Sequence, residues 1–514
     1  MSRITSAGRN FWCEPRVEAA GILVDANDYY RAFYDAAKTA KRSILLSGWQ
    51  FDSNVALLRG EEAEKSDLPI TLKKFLNALC EREKDLEIHV LAWDFHMVFA
   101  LEREWMQTLL FEWTTHERLH FRFDSSHVEK GCHHQKFVVI DGNLSFLGGL
   151  DLCDHRWDDR RHLDENPLRM SRGEPHKPFH DVQTYLVGPD VGSSLGELFA
   201  CRWKLTGGEP IELSPAQPRA GEYAPRGALP IPCERVALSR TDPKASPTAK
   251  NDPPPGAEQE RSQEVLGLYV DAIAAADESI YVETQYFSSR DIGDALVKRL
   301  QAPGRPPLDV VLILNMRAET LKEEVAVGLA QAKVLADLRE AARGTAHQLG
   351  IYYTVPASKD GNEPERATYI HAKVMIVDDR LLNVGSANLT NRSCSVDTEL
   401  NATYECGSKS DALGGCITGI RLNLLAEHLG ITDRELSFGE GRVASLDDRA
   451  QRRDGRLRPH PSPTERERSI IEIVDPQALP FDPHGLEEDE DRSLFVSGIE
   501  VLWRRVFSNR DDTK

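Results

Sequence analysis

An eight-residue pattern, His-x-Lys-x-x-x-x-Asp, occurs twice in this chain of 514 residues, at positions 134–141 and 371–378. Both copies run through apolar residues that favour a β-strand. Because side chains two residues apart in a strand point to the same side, each copy places its His and Lys on one face of a sheet. Asp141 and Asp378 fall on the opposite face, beside turn dipeptides, and are expected to support the structure rather than to react.

A second apolar strand follows each copy and ends in small residues. Residues 143–149 end in Gly148-Gly149, and residues 381–386 end in Gly385-Ser386. Small residues allow a ligand to approach the backbone closely. A single three-residue motif arises often by chance, whereas two copies inside the same hairpin context are a strong signal.

The elements before the motifs also repeat. Strand-like runs at 43–49 and 88–93 precede the first motif, and runs at 279–283 and 309–314 precede the second. The two histidines lie 237 residues apart and the first strands 236 residues apart, which indicates duplication. We therefore predict an α/β fold in which two sandwich-like repeats, related by a pseudo-twofold axis, form one cleft at their interface.

The predicted organisation has four segments. They are a first repeat (1–206), a proline-rich linker (207–260), a second repeat (261–430) and a charged extension (431–514). Eleven of the 28 prolines lie in the linker, so it is expected to run over the surface without regular structure, apart from an isolated strand at 236–240. An apolar patch at 494–507 predicts a terminal helix that covers the domains.

Composition narrows the functional classes. The net charge of −19 disfavours nucleic acid as a partner, because nucleic-acid binders usually present a basic surface. No apolar run reaches the about 18 residues of a membrane span. Nine cysteines without a CxxC spacing favour a reducing compartment, so we predict a cytoplasmic protein with peripheral membrane contact. A local basic patch beside the first motif consists of Arg156, Arg160, Arg161 and His162.

The paired motifs resemble the phospholipase D superfamily, and the words around them resemble its phospholipases, over residues 9–430. These words are His133-His134-Gln135-Lys136, Gly148-Gly149-Leu150-Asp151, Pro178-Phe179-His180-Asp181, Glu283-Thr284-Gln285-Tyr286-Phe287 and Gly385-Ser386-Ala387-Asn388. Phe179 stands where the family usually has Trp, and Thr284 where it often has Asn. The early start of the first repeat resembles bacterial members that lack N-terminal regulatory modules.

The resemblance implies a two-step reaction at phosphorus. His134 is expected to attack and form a phosphohistidine, and His371 to act as acid and base. Lys136 and Lys373 would clamp the phosphate oxygens, so neither a metal nor another cofactor is predicted. Asp151 is expected only to line the cleft. Asp181 and Glu399 are expected to orient the imidazoles, and Gly149, Ser386 and Asn388 to bind phosphate.

The predicted activity is that of a phospholipase D acting on phospholipid at a membrane surface. It would hydrolyse phosphatidylcholine or a similar glycerophospholipid to phosphatidate and a free head group, with a primary alcohol as an alternative acceptor to water. The alternatives are a phosphatidyltransferase of the cardiolipin-synthase type, a phosphodiesterase or nuclease, and an inactive lipid-binding scaffold. Transferases of that type usually carry membrane spans, a nuclease fits poorly with the acidic charge, and a scaffold fits poorly with four intact His and Lys residues.

Overall fold

The computed structural model describes residues 2–93, 115–128, 131–213, 216, 223–243, 262–317, 327–357, 366–408, 410–432, 435–436, 442–453, 455–463 and 482. The helix predicted at 494–507 lies outside the described residues. All nine cysteines lie within them, and all are free thiols. Among the helices of these ranges, none has the length and hydrophobicity of a membrane span.

The first half of the chain builds one sheet with helices packed against it. Its elements in the described ranges are β1 (Ala19–Val24), α1 (Asp25–Ala37), β2 (Ser43–Gly48), α2 (Glu61–Glu64), α3 (Leu72–Arg82), β3 (Glu87–Trp93), β4 (Leu119–Asp124), β5 (Phe137–Ile140), β6 (Leu144–Gly148), β7 (Met170–Ser171), β8 (Glu174–Pro175), β9 (Phe179–His180), β10 (Val182–Val187), α4 (Pro189–Leu205) and β11 (Leu229–Ile231). The sheet order is β11-β1-β10-β6-β5-β2-β3-β4.

The second half builds a similar sheet. Its described elements are β12 (Ala237–Asp242), β13 (Ser262–Gln263), α5 (Glu264–Ala275), β14 (Ser279–Thr284), α6 (Arg290–Leu300), β15 (Asp309–Leu314), α7 (Leu329–Ala342), β16 (Gln348–Thr354), β17 (Tyr369–Ile370), β18 (Lys373–Val377), β19 (Leu381–Gly385), α8 (Asn391–Ser395), β20 (Glu399–Glu405), α9 (Ala412–Leu429), α10 (Val443–Arg452) and β21 (Leu457–Pro459). The sheet order is β13-β12-β20-β19-β18-β14-β15-β16-β21.

Seven strands of the two sheets match in order and direction. The run β1-β10-β6-β5-β2-β3-β4 corresponds to β12-β20-β19-β18-β14-β15-β16, and in both runs only the last two steps are parallel. The predicted α/β fold of two related repeats is confirmed. In each repeat the motif forms the first strand of an antiparallel hairpin, β5-β6 or β18-β19.

Two predictions about the connecting and terminal segments are wrong. The linker is not devoid of regular structure, because residues 229–231 pair with β1 and residues 237–242 pair with β20. The strand predicted as isolated is therefore a member of the second sheet. The charged extension contains α10 as well as β21, which pairs with β16. Each of these strands finds unpaired backbone groups at a sheet edge, a long-range event that local composition does not report.

The two sheets face each other across a shared apolar core. Leu45 and Val139 from the first sheet belong to the same buried cluster as Tyr281 and Ile376 from the second. Helices α1 and α3 cover the other face of the first sheet, and α5, α6 and α7 cover that of the second. Because the central strands are buried on both faces, they read as continuous apolar runs in the sequence.

Candidate active site

Each motif histidine is held beside a backbone bridge to the opposite half of the molecule. The backbone N–H of His134 donates to the carbonyl of Thr398 at 3.0 Å. The backbone N–H of His371 donates to the carbonyl of His180 at 2.8 Å, at the end of the parallel β9-β17 ladder. The hairpins that carry the motifs therefore meet at the interface of the repeats.

The two imidazoles pair crosswise with carboxylates. His134 Nδ1 lies 3.0 Å from both carboxylate oxygens of Glu399, which belongs to the second repeat. His371 Nδ1 lies 2.5 Å from Asp181 Oδ2, which belongs to the first. A carboxylate on Nδ1 fixes the tautomer and orientation of the ring and leaves Nε2 for a substrate.

The motif lysines are buried and have different partners. Lys136 Nζ lies 3.2 Å from Asp151 Oδ2, so Asp151, expected only to line the cleft, is the counter-ion of this lysine. Lys373 Nζ donates to Gln285 Oε1 at 3.2 Å. Asn388 Nδ2 donates to the same oxygen at 3.4 Å, which places Asn388 beside the second lysine. One ammonium group therefore has a charged partner and the other a neutral one.

Gly149 and Ser386 position carboxylates in this structure instead of lining an open phosphate site. Ser386 Oγ is buried and donates to Glu399 Oε2 at 2.5 Å. A Cβ atom at Gly149 would collide with the carboxylate of Asp181. The two residues are equivalent in the repeats, and each leaves the room that its own carboxylate needs. Their predicted role is thereby shifted from phosphate to the groups that orient the imidazoles.

The motif aspartates lie in turns and bind backbone N–H groups at the start of a neighbouring strand. Asp141 accepts from residues 41, 42 and 43 at 2.8–3.0 Å, and Asp378 accepts from residues 277, 278 and 279 at 2.7–2.8 Å. Both have positive φ, 49° and 53°. Their carboxylates thus tie each motif hairpin to β2 or β14 and do not contact the imidazoles.

Burial dominates the electrostatics of the site. It raises the pKa of Asp181 to about 7 and that of Glu399 to about 8. Burial also lowers the pKa of His134 and His371 well below the usual range, and the lysines lower both further. Each imidazole feels lysines from both motifs, so the two motifs form one electrostatic unit.

Aromatic and basic residues outside the motifs complete the site. The ring of Phe179 lies 5.2 Å from that of His371, and the guanidinium of Arg156 lies 5.1 Å from the centre of Phe179. The predicted basic patch is divided, because Arg160 pairs with Glu427 while Arg161 pairs with the surface residue Asp159. The sequence signal for Phe179 and Arg156 was their place in the words that flank the motifs.

Comparisons with known proteins agree with this architecture. A family model described as "Cardiolipin synthase, PLD-like domain" matches residues 269–408. The chain is 24% identical to "Phospholipase D alpha 2" of Oryza sativa subsp. japonica, over 81% of this chain and 65% of that protein. It is 25% identical to "Phospholipase D alpha 1" of the same plant, over 80% and 65%. The chain thus spans about two thirds of the length of these curated relatives.

A solved structure shares the fold. A phosphatidylserine synthase from Haemophilus influenzae Rd KW20 aligns over 90% of this chain and 97% of that chain, with a TM-score of 0.50 and 14% identity. Two matching sheets that bring paired His-x-Lys motifs to one interface define the class of phospholipase D-like proteins. The chain belongs to the phospholipase D superfamily.

Proposed function

We propose that this protein is a phospholipase D that hydrolyses a glycerophospholipid, phosphatidylcholine or a similar lipid, to phosphatidate and a free head group. The observation that carries the proposal is the crossed pairing of His134 with Glu399 and of His371 with Asp181. Two imidazoles oriented in this way, each with a lysine two residues away, are the groups that a two-step displacement at phosphorus requires.

In the first step, Nε2 of His134 attacks phosphorus. The new P–N bond forms as the bond from phosphorus to the head-group oxygen breaks, and His371 gives its Nε2 proton to that oxygen. A bound phosphodiester anion favours the protonated form of His371, which burial and the nearby lysines disfavour in the free protein. The product of this step is a phosphatidyl group on His134.

In the second step, His371 is the base. It takes a proton from water as the water oxygen bonds to phosphorus, and the P–N bond to His134 breaks. A primary alcohol uses the same path and gives a phosphatidyl-alcohol. Lys136 and Lys373 neutralise the non-bridging oxygens, and their attraction grows as negative charge develops.

Exposure supports the assignment of His134 as the nucleophile. The side chain of His134 is 16% exposed, whereas that of His371 is 6% exposed. A nucleophile must reach phosphorus in the substrate, while an acid needs only to reach the leaving oxygen. Glu399 and Asp181 hold the two rings in place and do not touch substrate.

The first test uses substitutions at the two imidazoles. His134→Ala and His371→Ala are each expected to lower kcat with phosphatidylcholine by at least about 10³-fold, while His120→Ala, at an exposed histidine of the first repeat, keeps wild-type turnover. Release of head group is measured for proteins with equal thermal stability. Substantial activity in either site variant contradicts the assignment.

The second test asks whether water and alcohol share one intermediate. Lipids with the same diacylglycerol part and different head groups are mixed with a fixed concentration of ethanol. Because both acceptors attack the same phosphatidyl-His134, the ratio of phosphatidylethanol to phosphatidate must be independent of the head group. A ratio that changes with the head group rules out the shared intermediate.

Phosphatidyl transfer to another lipid alcohol is the second candidate function. It is supported by the match to the cardiolipin-synthase-type family model, and it requires only a different acceptor at the same site. The assay is incubation with phosphatidylglycerol, scored for cardiolipin against phosphatidate. Predominant cardiolipin formation would replace hydrolysis as the main activity.

A further inference from the structure

A second cluster of titratable side chains is buried between the repeats. Asp25, His162, His180 and Glu427 are each at most 5% exposed, and each offers a ligand atom within 4.8 Å of the others. They come from the start of α1, a loop, β9 and the end of α9. The reaction described above uses none of these side chains.

The inward-facing atoms of this cluster are packed closely. His162 Nε2 lies 3.0 Å, and His180 Nδ1 2.7 Å, from the same oxygen of Glu427. The two carboxylate oxygens of Asp25 lie 3.4 Å from His162 Nε2 and 3.2 Å from His180 Nδ1. Ligand atoms around a four-coordinate zinc ion, with bonds of about 2.0–2.2 Å, are about 3.3 Å apart.

The outward nitrogens of both histidines are already engaged. His162 Nδ1 lies 2.9 Å from a carboxylate oxygen of Asp158, and His180 Nε2 lies 2.9 Å from one of Glu283. Metal-binding histidines are oriented in this way, by a carboxylate on the nitrogen that does not bind the ion. The second oxygen of Glu427 is held by Arg160 at 2.5 Å, which leaves its first oxygen directed inward.

An orphaned polar atom also points into the cluster. Asp25 is fully buried, and within the described part of the chain its Oδ2 has no hydrogen-bond partner. Its approach to His162 lacks hydrogen-bond geometry. A buried carboxylate oxygen without a partner is rare in proteins and marks a position where an unseen group binds.

We propose that Asp25, His162, His180 and Glu427 bind one divalent transition metal, zinc above all, in a closed structural site. Two imidazole nitrogens and two carboxylate oxygens are a donor set that zinc accepts, and complete burial leaves no open position for a substrate. Charge also fits, because a divalent cation carries the same charge as the two protons that the inward nitrogens would otherwise hold.

The ion would position the acid and base of the reaction without touching the substrate. The backbone N–H of Asp25 donates to the carbonyl of Asp181 at 2.8 Å, and Asp181 N–H donates back to Asp25 Oδ1 at 3.2 Å. The carbonyl of His180 accepts from His371. Metal at this site would therefore fix both members of the His371–Asp181 pair, whichever phosphodiester the protein cleaves.

The test measures metal directly in the full-length protein. Elemental analysis after dialysis is expected to give about one zinc per chain. After chelation, added Co²⁺ should give the visible absorption of four-coordinate cobalt, and added Zn²⁺ should raise Tm. His162→Gln and Glu427→Gln are expected to lose both responses, whereas His176→Gln, at a histidine of the same repeat outside the cluster, keeps them.

Asp158→Asn guards against loss of the fold as an explanation. This variant keeps all four ligands and removes only the carboxylate behind His162, so it should bind zinc about 10–100-fold more weakly while remaining folded. Wild-type protein that contains no bound metal, shows no cobalt absorption and gains no stability from zinc would overturn the proposal, and would show that protons hold the network. Equal binding by wild type and His162→Gln would overturn it as well.

Discussion

Lys373 illustrates how burial can set the pH range of the site at the scale of one residue. It must be charged to neutralise a phosphate, yet burial lowers its pKa to about 7. We expect kcat/KM to fall above about pH 7 as this lysine loses its proton in the free enzyme. In Lys373→Arg the side chain cannot lose its charge, so the fall should move to higher pH.

The measurement for this prediction is kcat/KM against pH with a short-chain soluble phospholipid. The maximal rate of Lys373→Arg should be lower than that of the wild type, because a guanidinium cannot reproduce the contact with Gln285. Lys136→Arg is the matched control and retains Lys373, so its rate should fall at the wild-type pH. An unchanged alkaline fall in Lys373→Arg would assign it to another group.

Glu399 gives a prediction about stability. Its pKa rises from 4.5 to about 8 through burial, so the folded protein holds this proton more tightly than the unfolded chain. The resulting stabilisation is complete below about pH 4.5 and is lost as pH rises to about 8. Glu399→Gln cannot ionise, so its Tm relative to the wild type should increase across this range and level off above it.

Thermal unfolding followed by circular dichroism checks this pH dependence. Glu340→Gln, at an exposed glutamate on α7, should give a difference in Tm that does not change with pH. Parallel curves for Glu399→Gln and the wild type would mean that Glu399 is ionised in the folded protein throughout, with a charged His134 beside it.

At the scale of an element, the motif aspartates are predicted to act on stability alone. Asp378 accepts three backbone N–H groups at the start of β14. Asp378→Ala leaves these donors without their partner, which should lower the free energy of unfolding by about 1–3 kcal/mol. Urea unfolding measures this loss, and kcat/KM of the folded variant should match the wild type. Asp141→Ala should behave alike, and a large loss of kcat/KM without loss of stability would refute the structural role.

Phe179 tests the ladder β9-β17, which joins the repeats beside His371. The ring is 1% exposed and contacts the rings of His371 and Tyr369. Phe179→Ala should lower the free energy of unfolding by about 3–5 kcal/mol and also lower kcat, because His371 loses the ring that supports it. Phe75→Ala, in the outer core of the first repeat, should cost similar stability but preserve kcat at temperatures where both variants are folded. Equal kcat values for the two variants would contradict a positioning role for Phe179.

The sequence predicted elements whose signal is local and missed pairings that join distant segments. Residues 72–82, 182–187 and 309–314 form the predicted helix and strands because their apolar spacing is unambiguous. The crossed pairs lie 265 and 190 residues apart in sequence, and no periodicity reports such a contact. The same holds for His162 and His180, which have no ligand spacing along the chain and meet Glu427 only in the folded protein.

Net charge yields a prediction for the whole molecule. The chain carries −19, and phosphatidate, the proposed product, adds negative charge to the membrane that the protein must contact. Repulsion between them reaches about 30 Å at 0.01 M salt but only about 10 Å at 0.1 M. We therefore expect initial rates on phosphatidylcholine vesicles to fall as phosphatidate is added at low salt, and this inhibition to weaken at high salt. Diacylglycerol at equal mole fraction is the neutral control for surface dilution. If phosphatidate instead accelerates the reaction at low salt, a local basic surface outweighs the net charge and binds the product-rich membrane.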